Sequence, residues 1–166
     1  FYRMINKSEP SLIRTEADEL TYCLHIMVRY ELEKRMFDGS LTAHDLPAEW
    51  NRLYKEYLGI DVPDDRQGVL QDSHWANGNI GYFPSYAIGS AYGTQYLQEM
   101  SKDLDVDAVV RSGDLTPINN WLEDRIWKHG CMKDPVALFE SVCGKFDPDC
   151  YVAYLEKKFT EVYGLS

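Results

Sequence analysis

The sequence lacks several patterns that would assign a function at once. Its four cysteines contain no Cys-x-x-Cys pair, and their spacing fits neither a zinc site nor a small secreted disulfide framework, so we expect buried or idle thiols. No two of the four histidines are four residues apart, so the zinc motif His-Glu-x-x-His is absent. A catalytic zinc ion needs about three converging protein ligands. We therefore expect no complete metal site within these residues.

Positive charge is also scarce. Lys and Arg total 17 against 27 Asp and Glu, which gives a formal net charge of -10. Nucleic-acid-binding proteins carry basic stripes, so we expect no nucleic-acid partner. No apolar run approaches the ~20 residues that span a bilayer, and the N-terminus lacks a basic stretch followed by an apolar one. We expect a cytoplasmic protein with no membrane partner.

What is present indicates a folded protein with a cleft. A chain of 166 residues, of which 45% are hydrophobic, can bury about two thirds of its unfolded surface around one core. The 12 Tyr and 4 Trp are residue types that line cores, clefts and interfaces. We expect residues 1–166 to form a single helical region.

Hydrophobic periodicity predicts helices along most of the chain. A long helix is predicted over Ser8–Phe37, and a second one over Leu46–Leu58, ending at Gly59. Gly89 and Gly93, one turn apart, would allow close approach of another segment. No strand longer than a few residues is predicted, so the fold class is all-α. The further predicted helices are Ser85–Asp103, Val106–Arg111, Pro117–His129, Pro135–Val142 and Pro148–Tyr163.

The segment Ile60–Pro84 has no sustained period and contains several Gly and Pro residues, which predicts a long irregular loop. Loops of this length in compact domains are usually functional or disordered. This one is rich in aromatic residues and poor in charge compared with a flexible linker, so we interpret it as ordered and functional.

Two clusters carry chemistry. In the first, Arg14 and Asp18 are four residues apart and would pair on one face of the predicted helix. A guanidinium can bind both oxygens of a carboxylate at once, so Arg14 is a candidate carboxylate ligand. The alternative is an ordinary solvated helix face.

The second cluster lies in the predicted loop. His74 follows Asp72 by two residues, and Tyr82 comes shortly after, which supplies a proton donor, an orienting carboxylate and a phenol. The alternatives are that His74 and Asp72 only hold the loop backbone, and that Tyr82 is a core residue.

The same clusters form two motifs, Ile13-Arg14-x-x-Ala17-Asp18 and Gly68-x-x-Gln71-Asp72-x-His74-Trp75. Both resemble the C-terminal signature motifs of the carboxypeptidase Taq family, in that family's order and at a similar separation. The resemblance runs almost from end to end and weakens after about Leu104. The chain also starts at Phe1 without an initiator methionine, so we interpret it as a fragment.

The resemblance implies the C-terminal part of a mostly helical, zincin-like metallopeptidase. Zinc or another divalent metal, its ligands and the glutamate acting as general base would belong to the preceding part of the protein. The substrates would be peptides with a free C-terminus, and the full-length protein is expected to be a homodimer. This fragment alone is expected to bind no metal and to be inactive.

The resemblance also suggests individual roles. His74 and Tyr82 would be catalytic, as donors to the oxyanion, and Arg14 would bind the substrate's terminal carboxylate. Gln71 and Asp72 belong to the expected substrate-binding site as supporting groups, and Asp18 would hold Arg14 in orientation. The alternative function is a non-catalytic helical module whose aromatic loop binds a partner peptide.

Overall fold

A computed structural model describes residues 1–165, which contain helices and no strand. The all-α prediction is confirmed. None of the helices in this part of the chain combines the length and apolarity needed to cross a membrane. The α-helices are α1 Tyr2–Ile5, α2 Tyr22–Phe37, α3 Leu46–Leu58, α4 Pro84–Asp103, α5 Val106–Ser112, α6 Thr116–Arg125, α7 Pro135–Cys143 and α8 Asp149–Tyr163.

The chain divides into two compact units. The first unit comprises Phe1–Ile88 and the C-terminal residues from Phe159 onward, and the second comprises Gly89–Lys158. Each unit therefore has its own set of internal contacts. That residues 1–166 form a single region stays a prediction.

The core of the first unit lies between α2 and α3. Helix α3 spans the residues that periodicity predicts for it, and it ends where Gly59 adopts a left-handed conformation with φ 74°. Burial of apolar side chains from both helices supplies the main stabilisation of this unit. The buried members of the core are Val28, Leu32, Leu41, Trp50, Leu53, Tyr54 and Leu58.

The predicted continuous helix over Ser8–Phe37 is wrong. Between Ser8 and Tyr22, where α2 starts, the chain is irregular apart from a 3₁₀ turn at Arg14–Glu16. Asp18 gives the physical reason, because its side chain takes the backbone donors that a helix would otherwise use. The Asp18 carboxylate accepts hydrogen bonds from the amides of Glu9, Leu20 and Thr21 and from the hydroxyls of Ser8 and Thr21.

The predicted loop is irregular except for a short 3₁₀ turn at Trp75–Asn77. Gly68 is buried at its start, and a Cβ there would meet Val62 Cγ1 at 2.8 Å and the Asp64 carbonyl oxygen at 3.1 Å. The loop therefore folds back closely on itself at this glycine. Internal turns and close packing of this kind are properties of an ordered loop.

The second unit is held by aromatic packing and by one buried amide. Tyr92 of α4 stacks on Phe139 of α7 with ring centroids 3.9 Å apart. Gln95 is 6% exposed. Its Nε2 donates to the Lys145 carbonyl at 2.9 Å, and its Oε1 accepts from the Asp147 amide at 3.0 Å. Gln95 thus ties α4 to the segment between α7 and α8.

In the second unit, the boundaries of the helices follow the predictions closely, with one exception. The helix predicted over Pro117–His129 ends at Arg125, and a 3₁₀ turn covers Trp127–His129. Gly89 and Gly93 face open space within the described residues, so no close approach is made there.

Candidate functional site

Asp72 lies between two arginines from different parts of the sequence. Arg14 donates to Asp72 Oδ1 through Nε at 3.1 Å and Nη2 at 2.8 Å. Arg29 of α2 donates through Nε to Oδ2 at 2.6 Å. The side chains of Arg14, Arg29 and Asp72 are 8%, 0% and 10% exposed. Two guanidinium groups thus share one carboxylate, which leaves one positive charge in this buried trio.

Charges and hydrogen bonds within the trio determine the protonation states of Asp72 and Arg14. Burial alone would raise the pKa of Asp72, but the charge of Arg29 and the hydrogen bonds from both arginines outweigh burial and hold that pKa below its ordinary value. Burial would also lower the pKa of Arg14, yet its bonds to Asp72 and to the Tyr22 hydroxyl raise it above the ordinary value. Arg14 and Asp72 are therefore both charged at neutral pH.

Tyr86 connects Arg14 to His74. The central carbon of the Arg14 guanidinium lies 4.9 Å from the centroid of the Tyr86 ring, within the range of a cation–π interaction. The hydroxyl of the same tyrosine lies 3.1 Å from His74 Nε2. The predicted carboxylate ligand and the predicted catalytic histidine therefore contact one common side chain.

The His74 ring lies among aromatic rings. It stacks on Tyr82 with centroids 5.9 Å apart and contacts the fully buried Phe83 at 4.5 Å. His74 Nδ1 is buried without a hydrogen-bond partner, 3.9 Å from Asp72 Oδ1. Tyr82 is 51% exposed, so it is not a core residue.

Gln71 aligns the backbone that carries Arg14. Its Nε2 donates to the Leu12 carbonyl at 2.6 Å and to the Gln67 carbonyl at 2.7 Å, while its Oε1 accepts from the Arg14 amide at 3.4 Å. These bonds hold two segments of the site together. The expected contribution of Gln71 to substrate binding stays a prediction.

Asp18 does not lie where the helix interpretation places it. That interpretation pairs Asp18 with Arg14 across one helical turn, but the segment is not helical, and the side chain of Arg14 bonds to Asp72 and Tyr22 instead. The carboxylate of Asp18 holds the backbone before α2, and those backbone amides lower its pKa despite partial burial. Asp72, and not Asp18, is therefore the carboxylate that orients the side chain of Arg14.

Sequence reasoning missed a buried polar face of α2. His25, Arg29 and Glu33 follow each other at four-residue steps and are 0%, 0% and 5% exposed. Arg29 bonds to Asp72, and Glu33 accepts hydrogen bonds from Trp75 Nε1 and from the Gly81 amide. The usable signal was the four-residue spacing, which puts these residues on one stripe.

No group of three or more His, Cys, Asp or Glu side chains within residues 1–165 is arranged to hold a metal ion. The side chains of this part of the chain therefore do not fit a catalytic metal site, which needs about three ligands. What they offer is hydrogen-bond donors, positive charge and aromatic surface.

The comparison with known families identifies the family of this chain. A family model described as carboxypeptidase Taq (M32) metallopeptidase matches residues 1–159. The chain belongs to this family. The resemblance carried by the two motifs is thereby confirmed, and it includes the second unit, where no motif was recognised.

Curated relatives are named carboxypeptidases. Carboxypeptidase 1 of Bacillus subtilis is 45% identical over 165 residues, which is 98% of this chain and 33% of the relative. Thermostable carboxypeptidase 1 of Thermus thermophilus is 42% identical over 167 residues, 99% of this chain and 32% of the relative. The chain thus spans about a third of the length of the curated M32 relatives it matches.

Solved structures share the fold of this third. The M32 carboxypeptidase of Deinococcus radiodurans superimposes with a TM-score of 0.93 at 36% identity, over 97% of this chain and 33% of that one. Metallocarboxypeptidase 1 of Trypanosoma cruzi gives a TM-score of 0.89 at 38% identity, over 93% of this chain and 33% of that one. The helical arrangement described for residues 1–165 is therefore that of M32 carboxypeptidases.

Proposed function

We propose that this chain is the C-terminal substrate-binding part of a metal-dependent carboxypeptidase that removes C-terminal amino acids from peptides. The trio of Arg14, Arg29 and Asp72 has one positive charge that is not compensated, and this observation carries the proposal. The charge lies next to the rings of His74 and Tyr82. A buried excess charge is costly until an anion neutralises it. A peptide's terminal carboxylate is an anion of the right sign and geometry.

Arg14 is the proposed carboxylate ligand. Three of the five guanidinium N–H groups are used, two by Asp72 and one by the Tyr22 hydroxyl. Two N–H groups remain, one on each Nη atom, which is the number a carboxylate can accept. An internal peptide bond offers no charge at this position, which would make the site selective for chain ends.

His74 and Tyr82 are the proposed donors to the oxyanion that forms at the cleaved carbonyl. Tyr82 is half exposed and available to a substrate, whereas His74 Nε2 shares a hydrogen bond with Tyr86 until a substrate oxygen competes for it. Asp72 and Gln71 would act through Arg14 by fixing its side chain and its backbone. Asp18 would contribute only by shaping the segment before α2.

The remaining properties rest on family membership. Zinc or another divalent metal is proposed for the full-length protein, held by residues outside this chain and activating the attacking water when bound. Peptides with a free C-terminus are the proposed substrates, and a cytoplasmic homodimer is the proposed form. The chain of residues 1–166 alone is proposed to be inactive.

The test is an assay of the full-length protein with added zinc, cobalt or manganese. Peptides with a free C-terminus should lose single residues from that end, and the same peptides amidated at the C-terminus should be cleaved much more slowly. Cleavage of both peptides at internal bonds would contradict the proposal. Binding of peptides without any hydrolysis would instead favour a peptide-binding module.

A further inference from the structure

We propose that Glu33 is the positioning residue that sets the separation of His74 and Tyr82. The inference rests on the proposed function, because it concerns the two donors of that site. Glu33 Oε1 accepts a hydrogen bond from Trp75 Nε1 at 2.8 Å, and Oε2 accepts one from the Gly81 amide at 3.2 Å. Trp75 directly follows His74, and Gly81 directly precedes Tyr82. One carboxylate thus holds the loop beside each of the two residues.

A carboxylate suits this task because each oxygen can accept from a different donor while the group stays rigid and planar. Glu33 is 5% exposed, so it needs such donors to remain buried. It projects from α2, whose packing on α3 forms the core of the first unit. The loop is therefore fastened at two points to a rigid element, as precise positioning of functional groups requires.

The loop between the two fastening points is ordered by short-range backbone hydrogen bonds, among them one from the Asn79 amide to the His74 carbonyl at 2.8 Å. It contains a single 3₁₀ turn, followed by left-handed glycines at Gly78 and Gly81 with φ 74° and 72°. Without Glu33, the distance between His74 and Tyr82 would depend on these turns and on the contacts that both rings make with Tyr86. The two rings stack with an interplanar angle of 28°, and this is the arrangement that Glu33 would maintain.

The Trp75 ring also packs against Trp50 and Phe83 at centroid distances of 6.1 and 5.9 Å, which keeps the ring in the core but leaves the backbone beside His74 to be held by the hydrogen bond to Glu33. The contacts of Glu33 can therefore be removed with the core left intact. Glu33→Gln turns one acceptor oxygen into an amide group that faces a donor. Trp75→Phe removes one donor and keeps an aromatic ring. Glu31→Gln on the same helix is the matched control, because that side chain is 36% exposed.

The first readout uses nuclear magnetic resonance of the 166-residue chain. In wild-type protein we expect nuclear Overhauser effects between the His74 and Tyr82 rings, together with a slowly exchanging Trp75 indole proton. E33Q should weaken these ring contacts at least twofold and speed exchange of the indole proton about tenfold or more, and W75F should weaken the same ring contacts. E31Q should change neither. Unaltered ring contacts in E33Q and W75F would overturn the proposal.

The second readout is kinetic and uses the full-length enzyme. E33Q should lower kcat about 10- to 100-fold, as expected for misplaced catalytic groups, with KM for free-carboxylate peptides within about twofold of wild type. A raised KM with unchanged kcat would overturn the positioning role. A wild-type enzyme that fails to cleave peptides would contradict the proposed function instead, and the ring contacts of the 166-residue chain would still decide the role of Glu33. If E33Q fails to fold, W75F decides between the same outcomes.

Discussion

The two units of this protein differ in the kind of polar side chain that they bury. Among the described residues, the first unit buries ionisable side chains at Arg14, His25, Arg29 and Glu33, whereas the buried polar side chains of the second are neutral and belong to Thr94 and Gln95. A buried charge costs several kcal/mol unless it is paired. The second unit, whose buried polar side chains are neutral, has the arrangement expected of a structural module. The buried charges of the first unit lower its stability, and a binding site can explain that cost.

Acidic residues show the contrast most clearly. Asp72 in the first unit is nearly buried and holds two guanidinium groups. Asp134 in the second unit is exposed and accepts hydrogen bonds from the Val136 and Ala137 amides as the cap of α7. The same type of side chain therefore balances charge in one unit and caps the start of a helix in the other. Substitutions at these two positions should have very different effects.

The largest effect is expected for Asp72→Asn in the 166-residue chain. The substitution leaves two buried guanidinium groups without a counter-charge, which should lower the free energy of unfolding by ~3–5 kcal/mol. Urea unfolding and hydrogen exchange of the α2 and α3 amides measure the loss. Asp107→Asn, at an exposed pair with Arg111, is the control and should cost at most ~0.5 kcal/mol. A loss below ~1 kcal/mol for Asp72→Asn would show that Asp72 does not supply the counter-charge of the two arginines.

The next effect concerns pH and His25. Burial, followed by the charges of Arg29 and Arg14, lowers the pKa of His25 from 6.5 to about 4. Because the folded pKa lies below the unfolded one, this contribution to stability is fully present above about pH 6.5. It is lost progressively as the pH falls from there towards 4, by about 3 kcal/mol in total. The pKa values of Asp72 and Asp18 are lowered, so those carboxylates act at still lower pH.

The measurement is the free energy of unfolding between pH 7 and pH 4, combined with a titration of the His25 ring by nuclear magnetic resonance. His25→Asn keeps a donor near the Tyr54 hydroxyl, which lies 3.1 Å from His25 Nδ1, and should flatten the pH dependence. Equal slopes for variant and wild type would mean that His25 is not the group that titrates.

The smallest effect is expected in the second unit. Asp134→Ala removes the side-chain cap of α7 and should cost ~1 kcal/mol, because the two amides it holds are left to water. Hydrogen exchange at the start of α7 reports the change. Asp124→Ala is the control, since its exposed pair with Lys128 should contribute at most ~0.5 kcal/mol. If Asp134→Ala lowered the free energy of unfolding as much as Asp72→Asn, the contrast drawn between the two units would be wrong.

Helix ends could be predicted from sequence where local rules set them, but not where a polar side chain bonds to the backbone. Helix α3 has an apolar stripe and a terminal glycine, so its ends follow from local rules. The start of α2 does not, because the bonds that Asp18 makes to the backbone replace helical hydrogen bonds that periodicity alone would expect. In the second unit, the starts of the helices that open near a proline were predicted to within one residue.

The site was predicted in part. Arg14, Gln71, Asp72 and His74 were chosen from the two motifs and Tyr82 from the aromatic stretch that follows, and the structure brings them together around Tyr86 and Phe83. Arg29 and Glu33 were missed because charged residues within a helix ordinarily indicate a solvated face. Their partners are 43 and 42 residues away in sequence, at Asp72 and Trp75, a pairing that no local pattern reveals.

The central claim is that Arg14 binds the terminal carboxylate of a peptide, and Arg14→Ala in the full-length enzyme tests it most directly. Asp72 keeps Arg29 as a partner in this variant, so the fold should persist. We expect kcat/KM for free-carboxylate peptides to fall by ~2–4 kcal/mol in transition-state free energy. The slow cleavage of amidated peptides should not change, and Arg14→Lys should recover only part of the loss. An equal loss for free and amidated peptides would contradict the claim.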